Sequence, residues 1–130
     1  MNTEKTREFY RHLKNNDLCQ CDYCKNYIRE IRAAYPEVAE YLKKMGVDIE
    51  KPFETMPLEP DENDNIIEYI CGQYVVMGSI ENFQACRVNG VGVDIAISHP
   101  STNIADEHFV IEICPVFLKW TIYIYVFFIR

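Results

Sequence analysis

An α+β fold, with N-terminal helices packed on a C-terminal, mainly antiparallel sheet, is predicted by three features of the sequence. Apolar residues recur at helical spacing as far as Gly46, alternate with polar ones from Ile66 onward, and an Asn89-Gly90 pair separates two alternating runs. Helices that precede a block of strands, instead of interleaving with them, argue for antiparallel pairing with the helices gathered on one side. The 130 residues suit a single domain, and their 48% hydrophobic content can fill one core. The expected division is helical over 3–46, an irregular acidic crossing over 47–65 and sheet over 66–130.

Thr6, Phe9, Tyr10 and Leu13 share one face of a first helix from about Glu4 to Lys14, with Thr3 as its expected cap and Asn15-Asn16-Asp17 ending it. Asp22 is the expected cap of a second helix whose inner face carries Cys24, Tyr27, Ile28, Ile31 and Tyr35. Pro36 suits the first position of a third helix, with Val38, Tyr41, Leu42 and Met45 as its stripe and Gly46 as its stop. Pro52, Pro57 and Pro60 among acidic residues predict the irregular crossing, and its run Glu59–Asn65 reads as a solvated loop.

In the first strand Ile67, Tyr69 and Cys71 share one face, and a one-residue shift at Gly72 lets Tyr74 and Val76 continue it. Asn-Gly tolerates the positive φ of a type I′ turn, so Val88 should oppose Val91 and Cys86 oppose Val93, with Ile95 and Ile97 on the same buried face. A later strand places Phe109, Ile111 and Ile113 inside and Val110 and Glu112 outside, and Pro115 interrupts it. From Trp120 to Ile129 both faces are apolar, which predicts a covered internal strand or a self-association surface.

Lys and Arg number 13 against 20 Asp and Glu, a net charge of −7 that repels polyanions. Nucleic acid and anionic membranes are therefore excluded as expected partners. The polar start, Met1 to Glu8, lacks the apolar core of a secretory signal, and no apolar run suffices for a bilayer-spanning helix. The expected location is cytoplasmic, where the six cysteines would be thiols or metal ligands.

Three of those thiols fall within Cys19-Gln20-Cys21-Asp22-Tyr23-Cys24, between a loop and a helix start. Free N–H groups and the helix dipole stabilise thiolates there, which favours metal binding or redox reactivity. Zinc is the expected metal, and since a structural site takes four ligands, His12 joins Cys19, Cys21 and Cys24 as the nearest candidate. Cys71 and Cys86 are expected to be buried strand residues, and Cys114 stays open. His99, Ser101, Asp106, Glu107 and His108 supply the residue types of a hydrolytic centre within one loop, but no nucleophile-elbow glycines surround the serine. Gly90 and Gly92 lie in a hairpin and not between a strand and a helix, so a phosphate loop is unsupported.

The segment Cys19–Tyr27, together with Tyr35-Pro36-Glu37-Val38, Gly46-Val47-Asp48 and Lys51-Pro52, resembles a group of small uncharacterised bacterial proteins carrying a Cys-x-Cys-x-x-Cys-x-Asn-Tyr segment. The resemblance implies a bacterial origin and a genuine domain, and it transfers no catalytic residue. The leading expectation is a non-catalytic protein-interaction domain, bound to a protein partner or to itself and stabilised by zinc at the Cys cluster. A thiol-based redox or metal-sensing protein acting through Cys21 and Cys24 is the alternative, and a hydrolase using the His99–His108 loop is the third reading.

Overall fold

The computed structural model describes residues 1–122 and has the expected α+β architecture. Helix α1 spans Thr3–His12, a 3₁₀ turn covers Asn15–Asp17, α2 spans Asp22–Ala34 and α3 spans Pro36–Lys44. The caps differ from expectation by one residue each. The Asn2 side chain accepts from the Lys5 backbone N–H at 2.9 Å, and the Cys21 sulfur accepts from the Cys24 N–H at 3.4 Å, so Cys21, not Asp22, opens α2. Gly46 stops α3 at φ +88°, where a Cβ would also lie 2.6 Å from the Thr3 carbonyl oxygen of α1.

Six strands follow: β1 Glu54–Pro57, β2 Ile66–Met77, β3 Cys86–Val88, β4 Val91–Ile95, β5 His108–Cys114 and β6 Val116–Lys119. The crossing over 47–65 is thus not wholly irregular, because β1 pairs along the edge of β2 despite its terminal Pro57. The sheet order is β1-β2-β5-β4-β3, with β6 also on β2, and every pairing is antiparallel. The hairpin has the predicted register, Val88 to Val91 and Cys86 to Val93, around Asn89 and Gly90 at positive φ. Ile97, expected on its buried face, is 97% exposed because β4 ends at Ile95.

Along β2 the partners are Gly72 with Ile113 and, three residues back along one strand and three onward along the other, Tyr69 with Val116. β5 and β6 therefore act as one strand interrupted at Pro115, with Cys71 placed across from Cys114. Ile67 and Tyr69 share a core with Tyr74 and Val76, so the face shifts by one residue between them, where the β1 register also slips. The shift falls earlier than expected. It turns Cys71 away from the helices, onto the side of Gln73 and Glu112.

The main core joins Tyr10, Tyr27, Ile31, Val38 and Leu42 of the helices to the inner sheet face. The opposite face is not bare either. Val75, Met77 and Val110 pack with Ala96, Phe53 and Ile104, so Val110, expected outside, is buried under the loop after β4. Trp120, Thr121 and Ile122 follow β6 outside any strand, and positions 123–129 of the strand expected to end at Ile129 fall outside the described residues.

Candidate metal centre

Two local forces shape the Cys19–Cys24 segment. The first four N–H groups of α2 lack helical partners, and the Cys21 sulfur takes up one of them as a cap. The apolar face of α2 then docks on the sheet, drawing Cys24 inward until its sulfur lies 3.3 Å from the Thr55 hydroxyl on β1. Cys19, one turn of chain earlier, comes back over the cap with its sulfur 3.3 Å from that of Cys21. The sulfurs of Cys19, Cys21 and Cys24 all lie within 4.8 Å of one another, close enough to hold a metal ion.

The three thiols are not equivalent. Cys19 and Cys21 are exposed while Cys24 is buried. The Cys21 backbone N–H, helped by hydrogen bonds from the Cys21 and Cys24 side chains, holds Cys19 below the usual thiol value. Burial pushes Cys24 up to about 12. Cys19 also lines a concavity of about 340 Å³ with Phe9, Leu13, Leu18 and Phe53, and with Asp17 and Lys51, so the more acidic thiol opens on a groove of mixed polarity.

The structure does not bring His12 into this group. It lies near the end of α1 with Nδ1 2.8 Å from the Glu8 carbonyl oxygen and 3.6 Å from a Glu8 carboxylate oxygen. The residues of the His99–His108 loop are also dispersed. Ser101 donates to the Asn103 side chain, and His99 Nδ1 lies 2.8 Å from the Pro100 carbonyl oxygen. His108 is occupied at both nitrogens, by Thr102 Oγ1 at 2.6 Å and by the Asp106 carbonyl oxygen at 2.8 Å. Asp106 pairs with Lys5 at the surface, and no described hydrogen bond joins Ser101 to either histidine.

Cys86 is half-buried on β3 beside Tyr41, whose hydroxyl it helps to hold above the ordinary value, up to about 12. A second group was not expected. Cys71 on β2, with Glu112 and Cys114 on β5, also has its ligand atoms within 4.8 Å of one another. The only trace of it in the sequence is that Cys71 and Cys114 each fall in a strand; that they face each other depends on β2 pairing with β5, which alternation alone does not specify.

Comparison with protein-family models, curated proteins and solved structures finds no match for the chain. No described helix is long and apolar enough to cross a membrane.

Proposed function

We propose that the chain is a small non-catalytic interaction domain whose Cys19, Cys21 and Cys24 hold a zinc ion, with another protein or a second copy as partner. One observation carries the metal reading: three sulfurs are gathered within 4.8 Å by the cap and docking of α2. Zinc suits thiolates in a tetrahedral site, and its binding would replace the protons that burial keeps on Cys24. Ile66, Ile70 and Phe117 support the contact reading. Phe117 opposes Glu68 across the β2–β6 pair, so the two isoleucines flank it diagonally, and all three are about half exposed.

The test is elemental analysis of untagged protein with a thermal melt before and after chelation. Zinc at about a hundredfold excess over its dissociation constant adds about 2.7 kcal/mol, on the order of 10 °C in Tm for a domain this size. A C19S/C21S/C24S variant should lose one metal equivalent and be insensitive to the chelator at this site. Full metal content in that variant would defeat the assignment.

A second reading is favoured by the thiol asymmetry. The low-lying Cys19 thiolate would attack a disulfide sulfur of an oxidised partner, Cys21 would then displace the partner as its dithiol, and the chain would keep the Cys19–Cys21 disulfide. This reading places the reactive thiol at Cys19 and not at the Cys21–Cys24 pair. It requires fast alkylation of Cys19 in protein as purified, whereas bound zinc would protect it.

A further inference from the structure

The second thiol group lies on the opposite side of the sheet from the first and is built by different elements. Continuing the β2–β5 register one residue beyond the Gly72–Ile113 pair places Cys71 across from Cys114, and Glu112, two residues before Cys114, projects from the same face because alternate residues of a strand share a side. Each thiol proton already points at an acceptor, and for Cys114 that acceptor is within the group. Cys71 donates to the Met56 sulfur at 3.4 Å and Cys114 to a Glu112 carboxylate oxygen at 3.5 Å. The other Glu112 oxygen lies 3.5 Å from the Gln73 amide nitrogen, which also donates to the Ser98 carbonyl at 2.8 Å.

We infer that Cys71, Cys114 and Glu112 form a second metal site, for a divalent thiophilic cation of the zinc class. The donor set is two thiols and one carboxylate, with ligand atoms within 4.8 Å, a separation that a shared ion with metal–sulfur bonds of about 2.3 Å accommodates. The carboxylate favours a divalent ion over a monovalent soft one. An independent observation points the same way. Gln73 is wholly buried and its Oε1 has no hydrogen-bond partner among the described residues, an unmet acceptor one hydrogen bond away from Glu112.

Both thiols carry protons in the metal-free protein, because burial, with the Glu112 charge, pushes Cys71 to about 11 and Cys114 to about 12. Loading the site therefore releases two protons to solvent, one from each sulfur. Affinity should fall about a hundredfold for each unit of pH below neutrality, as two protons compete with one ion.

The experiment is cadmium-113 NMR and cobalt titration on the full chain. Cadmium shifts separate three-sulfur from two-sulfur–oxygen coordination, so this site predicts a resonance in the two-sulfur–oxygen range whether or not the Cys19–Cys24 group also binds. C114S should abolish that resonance and leave any three-sulfur signal in place. E112Q should keep the thiolate-to-cobalt absorption while weakening cobalt binding at least tenfold. A wild-type spectrum with no two-sulfur–oxygen resonance overturns the site, and does so without any variant having to fold. A three-sulfur resonance missing beside an intact two-sulfur–oxygen one would instead count against the proposed function.

Discussion

Substituting Gly72 by Ala tests how α2, the helix that carries the metal centre, is held on the sheet. Gly72 lies under the Tyr27 ring, and a Cβ there would land on the Tyr27 hydroxyl and 2.7 Å from its Cζ. The ring has nowhere to go. It is fully buried, packed edge-on against Tyr69 with centroids 5.0 Å apart, and its hydroxyl lies 2.6 Å from that of Tyr74. Tyr74 donates onward to the Ile49 carbonyl at 2.8 Å, so Tyr27 is the donor in the pair. Overpacking a dense core costs about 1–3 kcal/mol, and breaking the buried Tyr27–Tyr74 bond costs about 1–3 kcal/mol more. The expected loss for G72A is about 2–6 kcal/mol, against a total stability of about 5–15 kcal/mol for a typical domain. Urea unfolding should show a midpoint lowered by about 1 M or more, with unchanged slope. Y27F alone should cost about 1 kcal/mol. Because Y27F removes the atom on which the new Cβ falls, G72A/Y27F should be at least about 1 kcal/mol less unstable than the sum of the single changes. A G72A midpoint equal to wild type, or strict additivity in the double variant, would refute the steric argument.

Asn26, buried on α2, donates to the Lys119 carbonyl at 2.8 Å and accepts from the Thr121 N–H at 2.9 Å, so N26A strands two backbone groups; we expect a loss of about 2–4 kcal/mol by urea unfolding. With metal removed, alkylation near pH 7 followed by peptide mass spectrometry should label Cys19 first, with Cys24, Cys71 and Cys114 slowest, since only thiolates react. Stability of the metal-free chain should fall steeply above pH 9. Thiols at Cys24, Cys71 and Cys114 keep their protons in the fold up to about 11–12 but lose them near 9 when unfolded, so the folded state binds more protons in that window and rising pH favours unfolding; an alkaline-resistant midpoint would contradict the raised position of all three thiols. For the contact surface, F117K should convert any dimer seen by light scattering into monomer while leaving the fold intact, because Phe117 is half exposed.

The helices and the Asn89-Gly90 hairpin were legible because each is specified locally. Pro36 and Gly46 bracket α3, and Val88 and Val91 must pair once the turn type is known. β1 was not legible, since Glu54-Thr55-Met56-Pro57 is short, ends in proline and lies between acidic turns, and it becomes a strand only because the β2 edge is there to receive it. Val110 was assigned to solvent by simple alternation, which cannot foresee that the segment around Ala96 and Ile104 covers the second face. The first thiol group was visible as a spacing and took a new detail from the fold, the Cys21 cap. Cys71 was placed on the wrong face because Gly72 drew the shift to itself, whereas the chain shifts before Cys71, where β5 gives way to β6 across the sheet.

β1, the strand that sequence reading missed, is what separates the two thiol groups, and this gives the last prediction. Its consecutive residues face opposite sides, so Thr55 meets Cys24 while Met56 meets Cys71. The Thr55 hydroxyl acts to lower the Cys24 pKa, which is the sign of a donor to the thiolate. T55V conserves the shape and removes that donor, so it should weaken metal at Cys19, Cys21 and Cys24 severalfold, raise Cys24 further, and leave the Cys71–Cys114 resonance unmoved. M56L removes the acceptor of the Cys71 proton and should do the converse, making Cys71 more easily deprotonated with no effect on Cys19 labelling. Cadmium NMR and thiol labelling read both variants in the same samples. If either change moves both groups alike, the strand does not insulate them, and the thiols must be treated as one coupled system.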